Sequence, residues 1–169
     1  MPELTPKERL QPSLLDRLTD DEPDQKIESR DRRVLSPQKL RESVLRDQAW
    51  LFNTPNLATV CDLSDFPEVL RSTVNFGLPD LAGRTLSSID VVELERLLRR
   101  AIWDFEPRLI KNSVKIRVLK NPDQHTHNAM SFAIEADLWS QPLPLRLYLK
   151  TELDLESGEV QVSEASDIL

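Results

Sequence analysis

The amino-acid sequence predicts an α+β fold: an N-terminal arm, about three helices, and then an antiparallel sheet of three to four strands. Two observations favour this class. Apolar residues recur at helical spacing as far as about residue 106, whereas from about residue 113 to residue 163 they alternate with polar residues. Helices first and strands last is the order expected when helices pack on a meander of strands.

The chain divides into an N-terminal arm, residues 1–36, and a domain, residues 37–169. The arm is rich in proline and charge and poor in aromatic residues, as extended segments are. Inside it, Ser13 is placed to cap a short helix. A helix of this length is marginal unless it docks, either on its own domain or on another subunit. The apolar face available for docking carries Leu14, Leu15 and Leu18.

Helical spacing and end signals place three helices in the domain. Ser36-Pro37, a capping residue followed by proline, begins the first, which runs roughly to residue 52. The second begins near Pro67 and ends before Gly77, and the third opens at residue 87 or 88 and continues to about residue 105. The apolar face of the second carries Val69, Leu70, Val74 and Phe76. That of the third carries Val91, Val92, Leu94, Leu97, Leu98, Ala101 and Ile102.

Beyond the helices, alternation with a period of two predicts strands with one buried face and one polar face. A polar loop, residues 121–128, joins the first two strands, and a turn at residues 156–159 joins the last two. The alternating segments are 114–118, 132–138, 145–155 and 160–162.

Composition and charge exclude several classes of function. The chain has 169 residues, 39% of them hydrophobic and 30% charged, and no stretch of about 18 apolar residues that could span a bilayer. Its net charge of −7 argues against nucleic acid as a main partner, because that binding neutralises phosphates. The N-terminus has no signal-peptide pattern and Cys61 is the only cysteine, which together favour the cytoplasm.

Motifs for cofactors, metals or nucleophiles are weak. Only three glycines occur, and the stretch from Gly77 to Thr85 departs from a P-loop in its spacing, its arginine and its context. His125 and His127 could face one side of a loop, but a metal site needs three or four ligands. Cys61 lacks a protease signature and is expected to be a small packed side chain. We therefore expect no cofactor and no metal.

Paired carboxylates present the main catalytic alternative, a peptidoglycan-cleaving, lysozyme-like glycosidase. That chemistry needs one acid in an apolar pocket and a second carboxylate across a cleft. Glu106 is the acid placed beside aromatic residues, but Arg108 would hold it ionised, which is the wrong state for a general acid. The sequence therefore favours a protein that is not an enzyme, and no catalytic residue is assigned.

The tripeptide Glu106-Pro107-Arg108 lies where the last helix ends and the strands begin. Proline fixes φ and lacks an N–H, and it pushes the preceding residue out of the helical region, so Glu106 is expected at the helix exit. Two opposite charges are then held at a rigid corner. The planar fork of Arg108 can either grip a partner chain or close a local ion pair.

The last predicted hairpin, residues 145–162, is long and contains no proline inside its strands. The edge of a sheet carries unpaired N–H and C=O groups that allow a strand of another protein to add. The residues expected to contact such a partner are Leu145, Leu147 and Tyr148. The alternative is an edge protected by the charges of Lys150, Glu152 and Asp154.

Several segments of the chain, taken in order, resemble TssE, the baseplate subunit of the type VI secretion system. TssE is similar to the small wedge protein of contractile phage tails. Each segment is weak alone, but the ordered set covers nearly the whole chain. The segments are residues 10–23 (LQPSLLDRLTDDEP), Arg46-Asp47, residues 50–54 (WLFNT), Gly83-Arg84-Thr85 and Glu106-Pro107-Arg108.

The resemblance implies a cytoplasmic, non-enzymatic wedge component that joins other baseplate subunits and initiates the sheath. It implies that Glu106, Pro107 and Arg108 contact the core helical bundle of the wedge. It also implies that the C-terminal strands offer the first ring of sheath subunits a template. The short helix of the arm gains weight as a docking element whose partner is not assigned. The implied partners are thus wedge subunits and sheath subunits, with no nucleic acid and no direct membrane insertion.

Overall fold

The computed structural model of the chain describes residues 13–19, 23–24, 36–83, 85, 88–119, 129–140 and 144–165. Most of the N-terminal arm and the polar loop 121–128 lie outside the described residues. Within them, helices precede a four-stranded antiparallel sheet, which confirms the α+β class. The helices are α1 (Leu14–Leu18), α2 (Pro37–Phe52), α3 (Pro67–Leu70) and α4 (Val91–Phe105). The strands are β1 (Lys115–Leu119), β2 (Ala129–Leu138), β3 (Leu145–Asp154) and β4 (Val160–Glu164).

The four strands form a meander in the order β1-β2-β3-β4. Ile116 lies opposite Ile134, Ile134 lies opposite Leu149, and Thr151 lies opposite Val162. Directly opposed residues share a face of the sheet, so these positions define the face that is turned to the core. Helix α2 packs against β4 and α4 packs against β1, so the two long helices cover that face above the two outer strands.

Helix α2 begins and ends where the sequence predicts. The hydroxyl oxygen of Ser36 accepts the N–H of Lys39 at 3.1 Å, and Pro37 takes the first helical position. The buried side of the helix contributes apolar side chains that are each worth roughly 1.5–3 kcal/mol when fully removed from water. They are Leu40, Val44, Leu51 and Phe52.

The second predicted helix is wrong beyond its first turn. Helix α3 ends at Leu70, and a separate turn of 3-10 helix follows at Thr73–Asn75. The helix is interrupted because the Ser72 hydroxyl donates to the carbonyl of Val69 (2.9 Å) and accepts the N–H of Val74 (3.3 Å). Val74, predicted on the apolar face, is therefore 67% exposed.

The third predicted helix starts later than expected. It begins at Val91, because Asp90 is the stronger cap: its Oδ1 accepts the N–H groups of Val92 (2.9 Å) and Glu93 (3.3 Å). Ser88 instead donates its hydroxyl to the carbonyl of Thr85 within a preceding turn. Val92 falls on the solvent side and is 74% exposed, whereas the end of the helix at Phe105 is as predicted.

Two further expectations need correction. Alternation predicted one polar face for every strand, but β2 is buried on both faces near its centre, where Ser131 and Ala133 lie. The small side chains of these two residues sit among longer neighbours on the adjacent strands, which shield them from water. Cys61, expected to be packed, is exposed.

Candidate functional site

The predicted corner lies at the C-terminal end of α4. Glu106 caps the helix and donates its N–H to the carbonyl of Ile102 at 2.9 Å, which confirms the predicted helix exit. The Glu106 side chain is 3% exposed, and Pro107 is at the surface. A carboxylate that is so deeply buried is tolerated only when it is paired and hydrogen-bonded. Arg108 supplies that pairing.

Arg108 holds both oxygens of the Glu106 carboxylate. Its Nε donates to Oε1 at 2.7 Å, its Nη2 donates to Oε2 at 2.5 Å, and its backbone N–H donates to Oε1 at 3.1 Å. This two-point fork is the strongest geometry for such a pair. Burial alone would lower the pKa of Arg108, but the hydrogen bonds and charge of Glu106, followed by those of Asp47, raise it. The corner is thus a closed local ion pair, one of the two interpretations that the sequence left open.

The same arginine also reaches α2. Its Nη1 donates to Ser43 Oγ at 2.9 Å and its Nη2 donates to Asp47 Oδ2 at 2.6 Å. Asp47 accepts a further hydrogen bond from Arg46 Nε at 3.0 Å. The sequence indicated no role for Ser43, and Arg46 and Asp47 were noted only as a segment of the family resemblance.

Asp16 extends this network to α1. Its Oδ1 accepts from Arg46 Nη1 at 2.6 Å, and its Oδ2 accepts from Ser43 Oγ at 2.8 Å and from Ser13 Oγ at 2.6 Å. Burial alone would raise the pKa of Asp16, but the hydrogen bonds from Arg46, Ser13 and Ser43 lower it to about 2. We call the connected set the corner network; its members are Asp16, Ser43, Arg46, Asp47, Glu106 and Arg108.

Helix α1 is seated on α2 by this polar side, and its leucines face away. Leu14 is 70% exposed and Leu18 is 74% exposed, while Leu15 is 42% exposed. The helix therefore docks on its own domain through Asp16 and leaves its apolar face open. Of the predicted partner-binding residues, these three leucines and Pro107 are exposed.

We expect Asp16→Asn to loosen α1 by about 1–2 kcal/mol, because a charge-assisted anchor is lost. The pKa of an Asp carboxyl is near 3.9 in an unfolded chain, so its lowered value in the fold adds stability above about pH 4. That stability is lost as the pH falls through about 2. Amide hydrogen exchange at Leu18 measures the loosening at pH 7. Glu68→Gln, an exposed site on α3, is the control, and unchanged exchange in Asp16→Asn would contradict the anchoring role.

The predicted contact residues of the last hairpin do not lie at an edge of the sheet. Strand β3 pairs with β2 from Leu145 to Asp154, and Tyr148 accepts a hydrogen bond from the Ala165 N–H on the other side (2.9 Å). Leu147 is 1% exposed and faces the core. Leu145, Leu147 and Tyr148 thus lie on an inner strand, and β4 is the outer strand in the described order; their contact with a partner stays a prediction.

Each outer strand is partly capped by a side chain from the helix that covers it. In β1, the Glu95 carboxylate on α4 accepts the N–H of Val118 at 3.2 Å. In β4, Asn53 Oδ1 accepts the N–H of Val160 at 2.8 Å, and Asn53 Nδ2 donates to the carbonyl of the same residue at 2.7 Å. Asn53 was not predicted as a functional residue, although it lies within the WLFNT segment.

The part of β4 beyond Val160 keeps unpaired backbone groups. Alternate residues of an antiparallel strand direct their N–H and C=O away from the neighbouring strand, so Val162 and Glu164 share the outward direction of Val160. Among the described residues, no group bonds to the backbone N–H or C=O of either one. We call Val162 and Glu164 the open edge.

The described residues do not favour the lysozyme-like alternative. A pocket of about 180 Å³ opens beside Asn53, with Asp80 as the acid among its lining residues, so it lacks a carboxylate pair. Glu106, the candidate general acid, is paired with Arg108. No group of three or more His, Cys, Asp or Glu side chains that could hold a metal ion occurs in the described ranges. None of the described helices combines the length and apolar character needed to cross a membrane.

Comparison with models of known protein families gives a match over residues 38–143, more than half of the 169 residues. The matching family is described as Baseplate wedge protein gp25. The match includes α2, α4, the corner and β2, and it confirms the suspected family, because TssE is the type VI counterpart of this wedge protein. No curated protein and no solved structure gives a significant match.

Proposed function

This chain belongs to the baseplate wedge protein gp25 family, and from that premise we propose that it is a structural subunit of a type VI secretion baseplate. In this proposal it works in the cytoplasm, makes and breaks no covalent bond, and starts polymerisation of the sheath. The observation that carries the proposal is the open edge of β4. Two residues there, Val162 and Glu164, present backbone donors and acceptors that one further strand would pair.

The proposed partner at the open edge is an extended strand of a sheath subunit in the first ring. Both outer strands carry a helix and a side-chain cap, on β1 from α4 and Glu95; we place the template at β4 because the family resemblance assigns that role to the C-terminal strands. Main-chain hydrogen bonds would supply the contact at β4, as they do whenever a peptide adds to a sheet. The sequence placed the template on the whole last hairpin, residues 145–162, and we propose that β4 is the part of it that receives the strand.

The second proposed partner is the core helical bundle of the wedge. Leu14 and Leu18 on α1 form an exposed apolar face, which suits packing against another helix. Pro107 is exposed at the corner and Arg108 keeps 24% of its side chain accessible, while Glu106 holds that arginine in place. We propose that the corner contacts the bundle through Pro107 and the outer side of Arg108.

We expect Val162→Pro to stop sheath assembly while the subunit still folds. The Val162 N–H points away from β3, so proline removes an outward donor without removing a hydrogen bond of the β3–β4 ladder. Circular dichroism should retain the wild-type spectrum, and fluorescent sheath assemblies in cells should fall at least tenfold. Val162→Thr, which keeps the N–H and the shape, is the matched control and should assemble normally.

A second variant separates the two proposed contacts. Leu14→Ser combined with Leu18→Ser should reduce co-purification with the wedge subunits, whereas Val162→Pro should leave it intact. Val92→Ser, at a comparably exposed apolar position on α4, controls for loss of surface hydrophobicity. Sheath assemblies in normal number with a folded Val162→Pro subunit would overturn the template proposal.

A further inference from the structure

We infer that Asn53 sets where strand addition at β4 ends, by occupying the edge position of Val160 and closing it to an added strand. The inference rests on the proposed function, since it concerns how an added strand is received. It assigns a positioning role to a residue that makes no contact with the corner and none with α1 among the described residues.

The Asn53 side chain behaves as a short piece of a neighbouring strand. Its carbonyl oxygen accepts the Val160 N–H at 2.8 Å and its amide nitrogen donates to the Val160 carbonyl at 2.7 Å. These two hydrogen bonds are the same pair that the backbone of an added strand would offer to Val160. An incoming strand therefore meets a position that is already satisfied.

Asn53 is held firmly enough to act as a stop. The second hydrogen of its amide nitrogen goes to the carbonyl of Ala49 at 2.8 Å, and its backbone N–H goes to the same carbonyl at 3.1 Å. The oxygen and the nitrogen of the Asn53 side-chain amide are thus bonded to Ala49, at the end of α2, and to Val160. Displacing the side chain would break three side-chain hydrogen bonds at once.

The other end of the open edge, at Glu164, is also in contact with helix α2. Arg41 on α2 forms an ion pair with Glu164 at 3.1 Å and donates weakly to the carbonyl of Arg146 at 3.4 Å. Helix α2 therefore approaches β4 at two places, through Asn53 near Val160 and through Arg41 near Glu164. Between these contacts an added strand can pair with Val162 and Glu164, whose outward groups are spaced two residues apart. A one-residue slip would turn every side chain of the added strand to the other face.

Removal of the stop should lengthen the pairing by one position. In the free full-length protein, the Val160 amide should exchange slowly in the wild type and at least tenfold faster in Asn53→Ala. Purified sheath subunits are then added, and exchange is read at single amides by mass spectrometry with electron-transfer fragmentation. In the wild type, the Val162 and Glu164 amides should gain protection while Val160 stays as it was. In Asn53→Ala, Val160 should gain protection together with the other two.

Controls separate the stop from the end of the helix. Thr54→Val removes a hydrogen bond to the Trp50 carbonyl at the same helix end without touching β4, so it should behave as the wild type. Asn53→Ser, whose side chain is too short to bridge both groups of Val160, is the second variant if alanine impairs folding.

Two outcomes count against the inference and one against its premise. The inference is contradicted if the Val160 amide of the free wild type exchanges as fast as an open amide. It is also contradicted if Val160 gains no protection in folded Asn53→Ala or Asn53→Ser while Val162 and Glu164 do. If the sheath subunits protect none of the three amides in any variant, the template function itself fails, and the first arm still reports whether Asn53 caps Val160.

Discussion

Replacement of Arg108 by methionine is expected to destabilise the fold by about 3–5 kcal/mol, because it leaves the Glu106 carboxylate buried without its partner. Glu106 is 3% exposed and receives three hydrogen bonds from Arg108, two of them from the guanidinium. The same substitution also strips Asp47 and Ser43 of a donor. Equilibrium unfolding in urea, followed by circular dichroism, measures the change.

Two variants make this first expectation specific. Arg96→Met removes a surface ion pair whose arginine is 72% exposed, so it should cost far less than Arg108→Met. Glu106→Leu combined with Arg108→Met removes both buried charges and should recover a large part of the lost stability. A cost below about 1 kcal/mol for Arg108→Met alone would show that the buried pair is not needed for the fold.

The part of this corner that could be predicted is the part that depends on neighbours in the sequence. Glu106 was placed at the helix exit by the local geometry of proline, which depends on neighbouring residues alone. The partners of Arg108 on α2 could not be placed, because Ser43 and Asp47 lie 65 and 61 positions away along the chain. Such pairings are decided by how α2 packs across the sheet.

Gly77→Ala is expected to prevent folding or to cost more than about 4 kcal/mol. Gly77 has a φ of +122°, which L side chains rarely adopt, and an added Cβ would lie 2.1 Å from the carbonyl oxygen of Thr54. That oxygen accepts the N–H of Leu78 at 2.9 Å, and the Asn56 N–H bonds back to Leu78 at 2.9 Å. The backbone of residues 54–56 cannot move away without breaking this pairing.

Gly83→Ala is the matched control for this second expectation. Gly83 also has a positive φ, +72°, but apart from its chain neighbours no atom of the described residues lies within 4 Å of an added Cβ. The substitution should therefore cost only about 1–2 kcal/mol, the conformational penalty of an alanine in the left-handed region. Thermal unfolding and soluble yield compare the two variants. Equal effects would mean that the contact with Thr54 is not what excludes a side chain at Gly77.

The elements that the sequence misplaced were decided by competition between nearby polar side chains. Ser88 and Asp90 both offer helix caps, and the carboxylate of Asp90 takes two N–H groups where Ser88 turns to Thr85. The short α3 ends because Ser72 bonds to the backbone on both sides of itself. Hydrophobic period and helix propensity do not show which of two nearby polar side chains will cap or end a helix. The apolar stripe of α2 and the alternation of β3 are long enough to define those two elements.

The open edge could not be located from the sequence for a different reason. Alternation identifies strands but does not give their order or say which helix lies above which strand. The sequence could therefore name only the last hairpin, residues 145–162, as the template, and the partner-contact residues chosen within it lie on β3, between β2 and β4. The cap from Asn53 to Val160 spans 107 positions, and it depends on the end of α2 meeting β4.

The shortness of the open edge bears on self-association. Val162 and Glu164 carry one N–H and one C=O each, so two copies meeting through this edge could form four hydrogen bonds. At about 0.5–1.5 kcal/mol net per bond, these fall short of or barely reach the 4–15 kcal/mol that association costs in lost freedom. Dimerisation by this route is thus disfavoured at cellular dilution. Under the proposed function, strand addition becomes favourable where a baseplate supplies a high effective concentration, which would confine sheath initiation to that place.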